Sequence, residues 1–162
     1  MKKIRLAFDL DGILVDKPPL IPKKLLERLF KGKQKGLHYR FPETKIEQSI
    51  RKISHFYLFR PPIKKNIILL KKLARNRKYD LYLVSSRYSF LEKETRAWLK
   101  KKKINQCFNQ VILNLNNQQP HLFKEKQIEK FKIGIYLEDD PLITDYLEKN
   151  LPHVKVCQTI KE

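Results

Sequence analysis

Aspartate is scarce in this sequence, with seven residues in all, and six of them fall in two short segments. Asp9, Asp11 and Asp16 follow the apolar run Ile4–Phe8, and Asp139, Asp140 and Asp145 follow Ile133–Leu137. In so basic a chain, carboxylates gathered at two predicted strand ends point to a site rather than to a solvated face. Residues i and i+2 of an extended strand project to the same side, so Asp9 and Asp11 can aim at one group. Ser85, Ser86 and Arg87 follow a third such run, Leu81–Val84. Acid, hydroxyl and acid at three strand ends can together make one site. Each feature also has a plainer reading. Asp-Leu-Asp-Gly suits a strand-ending turn, and Asp140 before Pro141 suits a helix N-cap and first helical position. Asp145 can equally be a helix-surface charge.

The elements that must position these residues read as an α/β chain. Predicted strands are Ile4–Phe8, Leu81–Val84, Val111–Leu113, Gly134–Leu137 and Val154–Val156. They are short and nearly continuously apolar, as strands covered on both faces are. Helical patterns lie between them. Ile63, Ile67, Leu70 and Ala74 recur with helical spacing after Pro61-Pro62. Ser89 and Glu92 have the spacing of a capping box, opening a helix with Leu91, Thr95 and Trp98 on one stripe. A further helix runs from Asp140-Pro141 to about Lys149. Alternation of this kind predicts a doubly wound, mostly parallel five-stranded Rossmann-like sheet. Such sheets bind ligands at the carboxyl ends of their strands, where the winding reverses.

With these residues in place, the sequence resembles the haloacid dehalogenase (HAD) superfamily, in its phosphatase branch. The first family motif, an apolar run followed by DxDG, reads LAFDLDGILVD; the second, a strand ending in Ser or Thr, reads LYLVSSR. A lysine ahead of the fourth strand is matched best by Lys124, with Lys126, Lys130 and Lys132 as neighbours. Paired acids ending that strand read IYLEDDP. The likeness covers about residues 1–157 and implies a HAD-like fold. It implies that Asp9 is a nucleophile carrying a phospho-aspartate, and that Asp11 is the general acid and base. Ser85, or Ser86 in its place, would hold a phosphate oxygen, with Lys124 as a further phosphate ligand; Arg87, next along the chain, reads either as another phosphate ligand or as a surface charge. Paired carboxylates repel a phosphate, so the resemblance also implies Mg²⁺, held by Asp9, the Asp11 carbonyl and the second acid cluster. Asp139 and Asp140 are both candidates there, with Asp140 preferred for its likeness to the acid pair of 5′-nucleotidase-type members.

Composition bounds the rest. There are 36 lysines and arginines against 17 acids, a net charge of +19. That favours anionic partners, whether nucleic acid or phosphorylated metabolites, unless the lysines are only a solvated surface. The 41% hydrophobic content is that of a globular chain, not a disordered one. No apolar run approaches the ~20 residues of a membrane span. Two cysteines and four scattered histidines offer neither a disulfide framework nor a zinc motif, and a reduced cytoplasmic setting is expected. The length suits one domain, 1–162, with residues 17–62 as a small helical cap. That segment holds 12 lysines and arginines and three glutamates, interleaved with Phe30, Tyr39, Phe41, Phe56, Tyr57 and Phe59. The pattern fits a surface that stacks bases and attracts phosphates. It also fits ordinary packing, with Ile46, Ile50, Ile53 and Tyr57 as the buried stripe of one helix. The expected function is a Mg²⁺-dependent phosphomonoesterase, with nucleotides as the first substrate class. The alternatives are a polynucleotide-end phosphatase and a non-catalytic nucleic-acid-binding protein.

Overall fold

The computed structural model describes residues 3–18 and 36–158. Residues 19–35, which include Phe30 and the first part of the expected cap, lie outside them. Five strands form one parallel sheet: β1 (Ile4–Phe8), β2 (Tyr79–Tyr88), β3 (Gln110–Asn114), β4 (Ile135–Glu138) and β5 (Lys155–Gln158). Their spatial order is β3-β2-β1-β4-β5. The expected α/β class and doubly wound sheet are therefore the observed ones. The chain winds outward from β1 to β3, then returns to the other side of β1 for β4. The reversal falls at the carboxyl ends of β1 and β4, where both aspartate segments lie.

Alternation along the strands builds two cores. Leu6 and Phe8 of β1, with Leu81 and Leu83 of β2, face one side, and Ala7, Tyr82 and Val84 face the other. On the first side they meet Leu70 of α2 (Lys64–Ala74) and Trp98 and Leu99 of α3 (Glu92–Lys101). On the second they meet Phe123 and Ile128 of α4 (Pro120–Lys130) and Ile143 and Leu147 of α5 (Pro141–Asn150). Ser89 and Glu92 do not form the expected capping box. Ser89–Leu91 is a 3₁₀ turn, and the helix that follows starts from Leu91 with no side-chain cap.

The segment between β1 and α2 leaves and rejoins the core at one place. The Asp16 amide donates to the Pro61 carbonyl at 2.8 Å, and the Ile63 amide to the Leu14 carbonyl at 2.9 Å. Trp98 Nε1 donates to the Arg60 carbonyl at 2.7 Å and fixes the returning end. Within the segment, α1 (Lys45–Ser54) begins at Thr44, whose hydroxyl accepts from the Glu47 amide. Of the expected buried stripe only Tyr57, just beyond the helix, packs against the core; the three isoleucines of α1 face outward. Ile46, Ile50 and Ile53 are 75%, 54% and 64% exposed, while Arg51 and Ser54 are half-buried and the neighbouring His55 is buried. The polar face of α1 turns inward because the space beneath it is the cavity over the strand ends, not the apolar core.

Candidate active site

Asp9 follows β1 directly, and its amide donates to the Leu137 carbonyl of β4 at 2.9 Å. Its side chain is buried in a cluster of like charge. Asp9, Glu138 and Asp139 each place a carboxylate oxygen within 4.8 Å of the others. Lys124 of α4 offsets two of them, lying 3.2 Å from Asp9 Oδ2 and 2.6 Å from Glu138 Oε2. Lys124 and Glu138 are almost wholly buried, whereas Lys126, Lys130 and Lys132 are exposed. Burial pushes the Asp9 carboxyl well above its ordinary range; Lys124 pulls it back, while Glu138, Asp139 and Asp11 push it further up. Burial alone would depress the Lys124 ammonium, but Asp9 and Glu138 outweigh it and hold the proton tightly.

Glu138 also organises the loop beyond β4. Its Oε1 accepts from the amides of both Asp139 and Asp140 at 3.1 Å. That loop presses Asp139 onto Gly12, where a Cβ would stand 1.8 Å from Asp139 Oδ2. Gly12 also has φ +78°, a region that side chains disfavour. The glycine of the first motif is thus what lets the second acid segment reach Asp9.

Asp11 is held from two sides. Arg87 grips it as a fork, Nε to Oδ2 and Nη2 to Oδ1, both at 2.7 Å, and Arg60 donates to the same Oδ1. Arg87 is braced in turn by Thr95 Oγ1 at 3.1 Å. Burial would raise the Asp11 carboxyl, but Arg87 and then Arg60 outweigh it and hold it far below the usual carboxylate range. Arg87 is therefore a buried partner of Asp11, not a surface charge. Ser86, rather than Ser85, lines the cavity. Ser85 is buried, and its Oγ accepts from the Arg87 amide at 3.4 Å. The cause is local: β2 runs on to Tyr88, with its register against β3 broken between Ser85 and Tyr88, so simple alternation fails there.

Of the second acid segment, Asp140 serves its helix. Its Oδ1 accepts from the Leu142 amide at 3.0 Å and caps α5, and its Oδ2 accepts from the Tyr39 hydroxyl at 2.6 Å. Asp139, not the preferred Asp140, belongs to the carboxylate trio. Asp145 is exposed on α5, and Asp16 accepts from the Lys17 amide at the base of the insertion. Two residues without a sequence signal join the site. Glu138 reads as the polar end of an apolar strand, and Arg60 is one cation among many.

His55 shows what burial beside these arginines does. Its Nδ1 lies 2.8 Å from the Arg51 carbonyl, which can only accept, so the neutral ring carries its proton there. Burial, with Arg87 and Arg60 nearby and Asp11 opposing them, pushes its pKa down to about 3. A histidine in the unfolded chain titrates near 6.5. Between these values the unfolded state binds more protons, so stability is intact above pH 6.5 and drains as pH falls toward 3. His55→Gln should flatten that acid limb by up to about 1.4 kcal/mol per pH unit. Urea unfolding of both proteins at pH 7 and pH 5 measures it, and a constant difference between them would contradict this account.

These groups line one open cavity of about 270 Å³, together with Lys17, Arg40 and Arg51 of the insertion. Its floor of hard carboxylate oxygens suits a small divalent cation such as Mg²⁺. Among the described residues no helix is long and apolar enough to cross a membrane.

No protein-family model and no curated protein sequence matches the chain. Solved structures do match in fold. A HAD-family enzyme from Bacteroides thetaiotaomicron, in complex with magnesium and inorganic phosphate, is 14% identical with TM-score 0.63, over 98% of this chain and 95% of that one. A hydrolase from Streptococcus pneumoniae is 14% identical with TM-score 0.62, over 99% and 95%. A chain of the Pnkp1/Rnl/Hen1 RNA repair complex is 15% identical with TM-score 0.62, over 97% of this chain. The present chain spans 42% of the length of that one. The molecule has the fold of the haloacid dehalogenase-like hydrolases.

Proposed function

We propose that the protein is a Mg²⁺-dependent phosphomonoester hydrolase acting through a phospho-aspartate on Asp9. The observation that carries this reading is the convergence, at the winding reversal of the sheet, of buried Asp9 with Asp11, Lys124, Glu138 and Asp139. The fold likeness to HAD-like hydrolases, one of them complexed with magnesium and phosphate, supports it. Asp9 and Asp139, with Glu138 beside them, would hold Mg²⁺. Bound there, the ion supplies positive charge that offsets repulsion between a phosphate dianion and the carboxylates.

The work of the chain's own residues follows from their places. Asp9 Oδ attacks phosphorus, and the bond from phosphorus to the ester oxygen breaks. Asp11 delivers a proton to that leaving oxygen. A water then attacks phosphorus and gives its proton to Asp11, the bond to Asp9 breaks, and inorganic phosphate leaves. Held by Arg87 and Arg60, Asp11 is ionised, the form that the second step requires. The first step requires its proton, and phosphoryl oxygens that draw Arg87 and Arg60 away from Asp11 allow it to take one. Lys124 offsets charge at Asp9, and Ser86, which lines the cavity, would hold a phosphate oxygen. Asp140 keeps the cap of α5 in place.

Two substrate classes stand within this reading. Nucleotides fit the motif likeness. A phosphorylated polynucleotide end is favoured by the net charge of +19 and by the fold likeness to a chain of an RNA repair complex. The test is phosphate release from an aryl phosphate, sugar phosphates, nucleotides and 3′- or 5′-phosphorylated oligonucleotides. Release should require Mg²⁺ and fall to background with EDTA. Turnover that survives complete chelation would overturn the metal assignment. Oligonucleotide binding without any phosphate release would leave the non-catalytic alternative standing.

A further inference from the structure

The basic and aromatic run of residues 55–60 splits between the inside and the outside of the molecule. His55 and Arg60 are buried and line the cavity, where Arg60 meets Asp11. Between them Phe56, Leu58 and Phe59 are 41%, 69% and 49% exposed. Two rings left in solvent beside a buried histidine and a buried arginine run against hydrophobic burial, and such a patch marks a surface that meets a partner.

The rings form a row. The centroids of Phe59 and Phe56 lie 6.2 Å apart, and those of Phe56 and Tyr57 lie 4.5 Å apart. Tyr57 packs against the core and anchors the row, and Lys101 of α3 sets its ammonium 5.4 Å over the Tyr57 ring. The row therefore starts one residue from the arginine that holds Asp11 and ends at the lysine run of residues 100–103. Trp98 of α3, bonded to the Arg60 carbonyl, fixes the two segments against each other. Neither residues 52–60 nor residues 97–104 include an acid.

This chemistry fits a single strand of nucleic acid. Every base has a face that stacks on an exposed ring, and the bordering cations answer the backbone phosphates. A second copy of so basic a chain would be repelled by its charge. The cavity points to the same partner. At about 270 Å³ it falls below the ~300–1,000 Å³ of pockets that enclose a small ligand, so what lies beyond the reacting phosphate extends outside it.

We propose that Phe59, Phe56 and Lys101 bind the single strand whose terminal phosphate reacts at Asp9. The inference rests on the phosphatase reading and names its substrate class as a strand end. Bases near that end stack on the two phenylalanines, and Lys101 meets a backbone phosphate.

Kinetics on a nucleoside monophosphate and on dT strands of increasing length, with a terminal 3′- or 5′-phosphate, test this. In wild type kcat/KM should rise by about tenfold or more from the mononucleotide to strands that reach the row, as stacking of one or two bases is worth. In Phe56→Ala/Phe59→Ala that ratio should collapse toward unity. Binding of a labelled strand, followed by anisotropy in EDTA, reads the surface without turnover. There Lys101→Gln should make the fall of log affinity with log salt shallower by about 0.7, the share of one phosphate contact. Turnover independent of strand length, or a length advantage untouched by the double variant, would overturn the surface and leave the phosphatase reading intact. Strand binding with the expected salt slopes, but no phosphate release from any substrate, would keep the surface and remove the phosphatase reading. Association with vesicles of anionic lipid, or of the chain with itself, in place of strand binding would also overturn the surface. The length dependence is read on wild type, so the test survives a variant that fails to fold.

Discussion

Asp9→Asn should abolish phosphate release while leaving the fold at least as stable as before. The amide has nearly the size and shape of the carboxylate but cannot form the covalent intermediate, so turnover should fall by at least about 10³-fold. The stability half of the expectation comes from the surroundings. Asp9 is 6% exposed, and burial with Glu138, Asp139 and Asp11 nearby raises its carboxyl despite Lys124. The folded state thus favours the uncharged form, and an ionised Asp9 at neutral pH costs folding free energy that Asn removes. Loss of activity with an equal or higher unfolding midpoint, measured in EDTA, would mark Asp9 as a residue kept for chemistry at the expense of stability. Turnover by Asp9→Asn comparable to wild type would sink the covalent mechanism. A large fall in the midpoint would show instead that the carboxylate holds the loop together.

How much of this was legible in the sequence follows from where each signal resides. The sheet was legible because its strands are buried on both faces and leave short apolar runs between helical patterns. The reaction centre left a trace because a rare residue type clusters at two strand ends. Glu138 left none, since a buried acid closing an apolar run reads as the start of a loop; only its pairing with Lys124 reveals it. Arg60 is one of 12 lysines and arginines in its segment, and nothing local marks it as the partner of Asp11. Choosing between Ser85 and Ser86 required a register break that periodicity cannot show. The α1 stripe was correctly periodic, but a period defines two faces without saying which turns inward. That choice depends on the cavity below, a property of the assembled sheet. Asp139 and Asp140 differ for a similar reason: one meets Gly12, and the other is drawn off by the helix cap and Tyr39.

Lys124→Met is expected to have the largest effect on stability. Methionine matches the unbranched stem of lysine and can fill its space, so the change isolates the charge. What remains is a buried Glu138 beside a buried Asp9 with no cation between them. Breaking a buried pair by removing one partner costs about 3–5 kcal/mol, which for a chain of this size lowers the unfolding midpoint by about 6–20 °C. Lys124 holds its proton more tightly when folded than unfolded, so its contribution is complete below about pH 10.4 and is lost only as pH rises through the folded value. The deficit of the variant should therefore be full at pH 7. It should narrow on acidification, because the buried Asp9 carboxyl is already raised and protonating it removes one of the charges left unpaired. A second change supplies the internal check. Adding Glu138→Gln to Lys124→Met removes one of the stranded carboxylates, and the double variant should regain part of the lost stability. Additive losses in that cycle would mean that Lys124 acts through packing alone. Coupling between the two would identify Lys124 as the charge that lets three carboxylates occupy one buried place.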